Sequence, residues 1–158
     1  MAEKPVLVLG VGNILYGDDG IGSEVIRVLS QTMNDTRVEL VDGGVGGYDL
    51  IDYLDGRKKV IIVDAVNMDL PAGACREFAP DDASLVERLK PVSLHHTNVL
   101  DVINLARSVY QMPDIRFIGI QPARVQQGIG LSEELNIRKE EIIVFVKNVI
   151  RAFGSAEV

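Results

Sequence analysis

The sequence predicts an α/β fold, with one three-layer domain over residues 1–158 and a mainly parallel, twisted sheet of about five strands that has helices on both faces. Three observations predict it. Several short runs are continuously apolar, as in strands that are buried on both faces, and segments with helical spacing alternate with them. A third is the length of 158 residues, which allows a single sizeable core.

The predicted strands are apolar runs, several of which end at glycine or acidic residues. They cover residues 6–9, 38–41, 60–63, 74–78 and 115–120. We expect the run at 74–78 to lie at the edge of the sheet. The other strands end in loops that should meet at one edge of the sheet, where α/β proteins place their functional groups.

The predicted helices follow from apolar residues at intervals of three and four. The first begins near Gly20, because Ile21, Val25 and Leu29 recur at helical spacing. A second runs through Leu50 and Leu54. The remaining helices are predicted around residues 85–89, 99–106 and 142–150.

Composition argues against several classes of partner. The formal net charge of -7 repels phosphate backbones, so we expect no nucleic acid. No apolar run reaches the length of a membrane span, and Asn13 interrupts the run near the N-terminus, which argues against a signal peptide. The single cysteine, Cys75, allows no internal disulfide, and a cytoplasmic location is expected.

The loop after the first strand resembles a dinucleotide-binding fingerprint only in part. Gly10 and Gly12 are in place, but Leu15 stands where the third glycine is needed for close packing of the helix. Asp18 and Asp19 follow, and their carboxylates would repel a pyrophosphate. A nucleotide-binding oxidoreductase domain is therefore an alternative that the sequence disfavours.

Acidic and imidazole side chains mark the candidate site. Asp18 is expected to cap the first helix, while for Asp19 capping and metal binding both remain open. Asp64 directly follows a buried strand, so it is either satisfied by nearby N–H groups or functional. The only histidines, His95 and His96, precede a helix. Two carboxylates and one imidazole would suit a divalent first-row metal with open coordination positions.

These segments together resemble the hydrogenase maturation endopeptidases. The resemblance occurs in blocks that follow the family order and span most of the chain. The blocks cover residues 8–15, 17–22, 42–47, 62–65, 93–96 and 119–122. The opening block is the most specific. The family has a five-stranded twisted sheet flanked by helices, in agreement with the architecture predicted above.

The resemblance implies a set of site residues. The family's three metal ligands correspond to Asp19, Asp64 and His95, and Asp19 stands where some members have glutamate. His96 has no ligand role in the family pattern. Water activation is implied either by the metal or by an aspartyl group, Asp19 or Asp64, acting as general base.

The resemblance also implies a substrate. It is the nickel-loaded precursor of a hydrogenase large subunit, from which a C-terminal peptide is removed once nickel has been inserted. The nickel is then supplied by the substrate. The loop with Asp42, Gly43 and Gly44 matches the family's substrate-facing loop. An alternative with the same residues is a nickel-sensing chaperone that holds the precursor without cutting it.

Overall fold

A computed structural model describes residues 5–45, 48–81, 99–108 and 111–155 of the protein. These residues form a five-stranded sheet with the order β2-β1-β3-β5-β4. The strands are β1 (Val6–Val11), β2 (Val38–Gly44), β3 (Lys59–Ala65), β4 (Cys75–Phe78) and β5 (Asp114–Ile120). β4 runs antiparallel to β5, and the other pairings are parallel.

Helices cover both faces of the sheet. They are α1 (Ile21–Thr32), α2 (Ile51–Leu54), α3 (Val99–Arg107) and α4 (Glu133–Ser155). A 3-10 turn, Gly17–Gly20, leads directly into α1. In the part of the chain that the structure describes, no helix is both long and apolar enough to cross a membrane.

The alternation of side chains along the central strands builds two cores. Val6 and Val8 of β1 pack with buried residues of α1 and α4, such as Leu29. Leu7 and Leu9 point to the opposite face and pack with residues of α2 and α3. Every residue of β1 is buried, as its continuous apolar sequence predicts.

The predicted three-layer α/β fold with a mainly parallel sheet is confirmed, and so is the edge position of the strand at 74–78. The closing helix is longer than predicted, because α4 begins at Glu133 with a largely polar stretch. Leu135 is the first buried residue of α4 and the next is Ile142, so the early turns carry too few apolar residues to show helical spacing in the sequence. The helix predicted at 85–89 lies outside the described residues.

The sheet has two distinct edges. β1, β2, β3 and β5 end at what we call the carboxyl edge, and they begin at the amino edge. Lys59, the first residue of β3, donates a hydrogen bond from Nζ to the carbonyl oxygen of Phe153 at 2.9 Å. The last turn of α4 therefore lies at the amino edge.

Candidate active site at the carboxyl edge

Strand register brings the predicted acids to one edge of the sheet. Gly10 of β1 pairs with Asp42 of β2, and Asp64 near the end of β3 pairs with Gly119 of β5. The 3-10 turn that carries Asp19 follows β1 and contacts β3. Sequence-distant acids thus share the carboxyl edge, as the strand-end argument predicts.

Two glycines allow the turn with Asp19 to press against the strand ends. Gly12 has a φ of 143°, and a Cβ added there would lie 1.9 Å from the carbonyl oxygen of Asp19. A Cβ on Gly22 would lie 2.3 Å from the carbonyl oxygen of Val11 and 2.5 Å from that of Val63. The missing side chains therefore fix how closely the start of α1 approaches β1 and β3.

The carboxylate of Asp19 organises the loop before it. The side chain is fully buried, and its Oδ2 accepts a hydrogen bond from the backbone N–H of Asn13 at 2.9 Å. The Oδ1 of Asn13 in turn accepts from the N–H of Leu15 at 2.9 Å. The side chain of Asp19 does not cap α1. Its carboxylate is instead buried and fixed in one orientation, as expected for a residue of a functional site.

Asp64 is half-buried at the end of β3. By alternation along the strand, its side chain lies on the face of Ile62, which is the face covered by α2 and α3. Among the described residues, no three His, Cys, Asp or Glu side chains form a group that could hold a metal ion. His95 and His96 lie outside the described residues, so the three-ligand set stays a prediction.

Asp42 shapes the loop after β2. Its Oδ1 accepts hydrogen bonds from the hydroxyl of Ser23 at 2.8 Å and from the N–H of Gly44 at 2.9 Å. Gly44 has a φ of 55°, which glycine adopts without strain. Asp42 itself is exposed, so the loop is attached to α1 while its carboxylate remains at the surface.

Asp18 has a role that the sequence analysis missed, and its predicted capping role is wrong. Neither the 3-10 turn nor α1 has a side-chain cap. Instead, the fully buried carboxylate accepts hydrogen bonds from the segment after β5. The donors are the N–H of Ala123 (2.8 Å), the N–H of Arg124 (2.9 Å), and the N–H and hydroxyl of Ser132 (both 2.7 Å).

Backbone contacts join the same two segments. The N–H of Gly17 donates to the carbonyl of Gly128 at 2.8 Å, and the N–H of Gly128 donates to that of Leu15 at 2.8 Å. The N–H of Asp18 donates to the carbonyl of Arg124 at 2.9 Å. The turn with Asp19 and the loop after β5 therefore form one hydrogen-bonded unit.

A groove of about 490 Å³ opens beside this unit, between α1, the loop after β5 and the start of α4. Its lining combines apolar, glycine, acidic and basic residues: Ile14, Gly17, Gly20, Ser23, Glu24, Arg27, Asp42, Ile129, Gly130, Leu131, Asn136 and Lys139. Gly20 directly follows Asp19 in the chain. Ile14, on the same wall, directly follows Asn13, whose N–H donates to the Asp19 carboxylate, so this wall of the groove lies beside the turn that carries Asp19.

Three charged side chains of the groove form ion pairs with one another. Glu24 forms ion pairs with Arg27 on its own helix and with Lys139 on α4. The guanidinium of Arg27, together with Lys139, lowers the pKa of Glu24 to about 2, against the opposing effect of burial. Glu24 is therefore ionised at neutral pH and links α1 to α4 across the groove.

Cys75 is a poor candidate for a nucleophile. It lies in the edge strand β4, is half-buried, and its pKa is raised to about 11 by burial. A thiol with such a pKa stays protonated at neutral pH and is a poor nucleophile. The candidate chemistry therefore rests on the acids.

Comparisons with known proteins agree with this geometry. A family model described as hydrogenase maturation protease (HycI) matches residues 23–149. A putative hydrogenase maturation protease of Methanocaldococcus jannaschii is 33% identical over 165 residues, covering 96% of this chain and 99% of that protein. The chain belongs to the hydrogenase maturation protease family.

Two further relatives extend over nearly the whole chain. The hydrogenase expression/formation protein HoxM of Cupriavidus necator is 30% identical over 156 residues, which is 97% of this chain and 77% of that protein. The solved structure of the hydrogenase maturating endopeptidase HybD from E. coli has a TM-score of 0.80 at 28% identity, covering 94% of this chain and 93% of that chain.

Membership of the hydrogenase maturation proteases confirms the predicted peptidase class and favours it over the nucleotide-binding alternative. The partly formed glycine fingerprint after β1 has a different use here. Gly12 makes room for the backbone of Asp19, and the buried Asp18 and Asp19 lie just before α1, the helix whose N-terminus would accept phosphate in a dinucleotide-binding protein.

Proposed function

We propose that this hydrogenase maturation protease removes the C-terminal extension from a nickel-loaded large-subunit precursor in the cytoplasm. Asp19, Asp64 and His95 hold the nickel that the precursor brings, and Asp42, Gly43 and Gly44 contact the precursor. The observation that carries the proposal is the contact between the 3-10 turn that holds Asp19 and strand β3, which carries Asp64 near its end at the carboxyl edge of the sheet.

The donor set fits such an ion. Asp19 and Asp64 supply two carboxylates, and Asp19 is held in place by the N–H of Asn13. Imidazole and carboxylate oxygen are ligands that nickel accepts, and three protein ligands leave positions for the substrate. A site of this kind should hold a free ion less firmly than one with four protein ligands, which suits a metal delivered by the substrate.

Topology supports the inclusion of His95. α3 begins at Val99, four positions later in the chain, on the face of the sheet where Asp64 points. α3 also leads back to the start of β5, so its first residues lie toward the carboxyl edge. Four residues span at most about 14 Å, so the chain length between His95 and α3 is compatible with the assignment.

The two acids have different exposures, which suggests different roles. Nickel bound in the site would polarise the scissile carbonyl as a Lewis acid. Asp64 is half-buried whereas Asp19 is fully buried, and we assign Asp64 the acceptance of the proton from the attacking water. Asp19 is fully buried and held by Asn13, which suits a fixed ligand.

The loop with Asp42 is suited to substrate contact rather than to chemistry. Its carboxylate is exposed and already engaged by Ser23 and Gly44. Gly43 closes against Leu9 and Leu50, since a Cβ there would lie 3.0 Å from each side chain. The loop is therefore packed at Gly43, and Asp42 lines the groove.

The decisive experiment compares two preparations of one large-subunit precursor, nickel-loaded and nickel-free, each verified by metal analysis. Incubation with the enzyme should shorten only the loaded precursor, as a loss of C-terminal mass, and added zinc should not replace nickel. Asp64→Asn should prevent cleavage, whereas Asp52→Asn, an exposed acid on α2, should not. Equal cleavage of both preparations would refute the nickel requirement. Binding without cleavage would favour the chaperone alternative.

A further inference from the structure

Exposed apolar side chains cluster around the Asp19 turn. Ile14 is 55% exposed, Leu15 is 51% exposed and Ile129 is 81% exposed. Ile14 and Leu15 belong to the loop after β1, and Ile129 belongs to the loop after β5. We call these three residues the apolar rim. Large apolar side chains that cluster at a protein surface are typical of a site for a partner.

The apolar rim is built from two loops that hydrogen bonds hold together. Asp18 accepts hydrogen bonds from both sides of Ile129 in sequence, through Arg124 and Ser132. Gly128, next to Ile129, donates to the carbonyl of Leu15 at 2.8 Å. The rim is therefore organised before a partner arrives, which lowers the entropic cost of binding.

The rim continues into the groove next to Asp19. Ile14 and Ile129 both line the groove, and Leu131 adds a further apolar surface. Gly17 and Gly20 also line the groove, and their missing side chains let the backbone pack closely against Arg124 and Ile14. The groove has a volume of about 490 Å³, which is room for several side chains of an extended peptide, and it is partly open to solvent.

We propose that the apolar rim and the groove bind an extended, apolar segment of the precursor next to the scissile bond. This inference rests on the proposed function and specifies which surface of the enzyme recognises the substrate. The occupant follows from position, because Ile14 directly follows Asn13, whose N–H donates to the Asp19 carboxylate, and Gly20 packs against Ile14, so this wall lies beside the turn that carries Asp19.

The charges of the groove agree with this occupant. Glu24 is neutralised by Arg27 and Lys139, so the groove presents paired charges at its side rather than a field of one sign. A strongly acidic or basic peptide gains little binding free energy from such paired charges. Apolar side chains of a peptide gain binding free energy by burying the apolar surface of Ile14 and Ile129. Recognition is therefore expected to depend on apolar residues of the precursor.

The test is a pair of matched variants, Ile129→Asp in the rim and Val144→Asp on α4. Both positions are exposed, at 81% and 55%, so neither change removes a buried side chain. Their folding is checked by thermal unfolding. For the nickel-loaded precursor, we expect Ile129→Asp to raise KM and Kd about tenfold with little change in kcat, and Val144→Asp to leave both near wild type.

The outcomes separate this proposal from the proposed function. If the wild type cleaves the loaded precursor and Ile129→Asp does so with a KM within twofold of it, the rim proposal is overturned while the function stands. If the wild type binds the precursor without cutting it, the function fails, and a tenfold weaker Kd of Ile129→Asp still supports the rim. If Ile129→Asp instead abolishes self-association measured by sedimentation and leaves Kd unchanged, a second copy is the occupant and the proposal is wrong.

Discussion

Replacing Asp18 by asparagine tests whether the buried carboxylate joins two loops of the site. All of the donors that face it are N–H or O–H groups, from Ala123, Arg124 and Ser132. Asparagine keeps one acceptor oxygen but places an amide NH₂ opposite at least one of these donors. One hydrogen bond is lost if the amide replaces Oδ1, and up to three are lost if it replaces Oδ2, so at least one donor is left without an acceptor in a buried position.

The magnitude follows from the burial and the charge of the acceptor. A hydrogen bond to a charged group contributes about 1.5–3 kcal/mol, and an unsatisfied buried donor costs about 1–3 kcal/mol. We therefore expect Asp18→Asn to lower the free energy of unfolding by about 3–5 kcal/mol. In a domain of this size, that corresponds to a fall in Tm of roughly 10 °C.

Urea unfolding and calorimetry measure this loss, with Asp52→Asn as the control. Asp52 is an exposed acid on α2, and its replacement should change stability by less than about 0.5 kcal/mol. Ser132→Ala removes the hydroxyl donor but keeps the backbone N–H, so its effect should be smaller, about 1–2 kcal/mol. An Asp18→Asn variant within about 1 kcal/mol of wild type would refute the reasoning.

Hydrogen exchange locates the effect of Asp18→Asn. The amides of Arg124 and Ser132 donate to the carboxylate, so they should exchange faster in the variant. The amide of Val8 lies in the centre of the sheet, so its exchange rate should change only as the global free energy of unfolding changes. Unchanged protection at Arg124 and Ser132, relative to Val8, would show that the loop is held by other contacts.

Three further outcomes are expected. His95→Ala should abolish precursor processing with the fold intact while His96→Ala is milder, and equal processing by His95→Ala and wild type would refute the ligand assignment. Gly22→Ala should destabilise by about 3 kcal/mol in urea unfolding, because its Cβ would lie 2.3 Å from a backbone oxygen. The ion pairs of Glu24 with Arg27 and Lys139 lower its pKa to about 2 from an ordinary value of 4.5. The ion pairs therefore stabilise the folded protein fully above pH 4.5, and this contribution is lost as the pH falls toward 2. The stability difference between wild type and Glu24→Gln should shrink over that range, and a constant difference would contradict the pairing.

The parts of the fold that the sequence predicts are those with local physical causes. The apolar run of β3 predicts a strand buried on both faces, and Asp64 at its end is then expected at the carboxyl edge. The start of α1 follows from helical spacing after Gly20. The family resemblance adds His95, which lies outside the described residues.

The parts that the sequence does not predict depend on contacts between distant segments. Asp18 receives hydrogen bonds from residues more than one hundred positions away, and no local pattern indicates such donors. A buried acid next to a helix start therefore suggests a cap, which is the wrong role here. Likewise, the first turns of α4 carry few buried residues, so spacing alone does not reveal them.

The position of the end of α4 at the amino edge offers a way to observe the enzyme with its substrate. Phe153 lies against Lys59 at the start of β3, and β3 then spans its length to Asp64. At about 3.3 Å per residue, a fluorophore attached through Ser155→Cys would lie roughly 20 Å from the candidate site. Cys75, with a pKa of about 11, should react slowly with maleimide at neutral pH, so the new thiol takes the label. Energy transfer to a dye on the precursor would then report docking and release in real time, with every residue of the groove left unmodified.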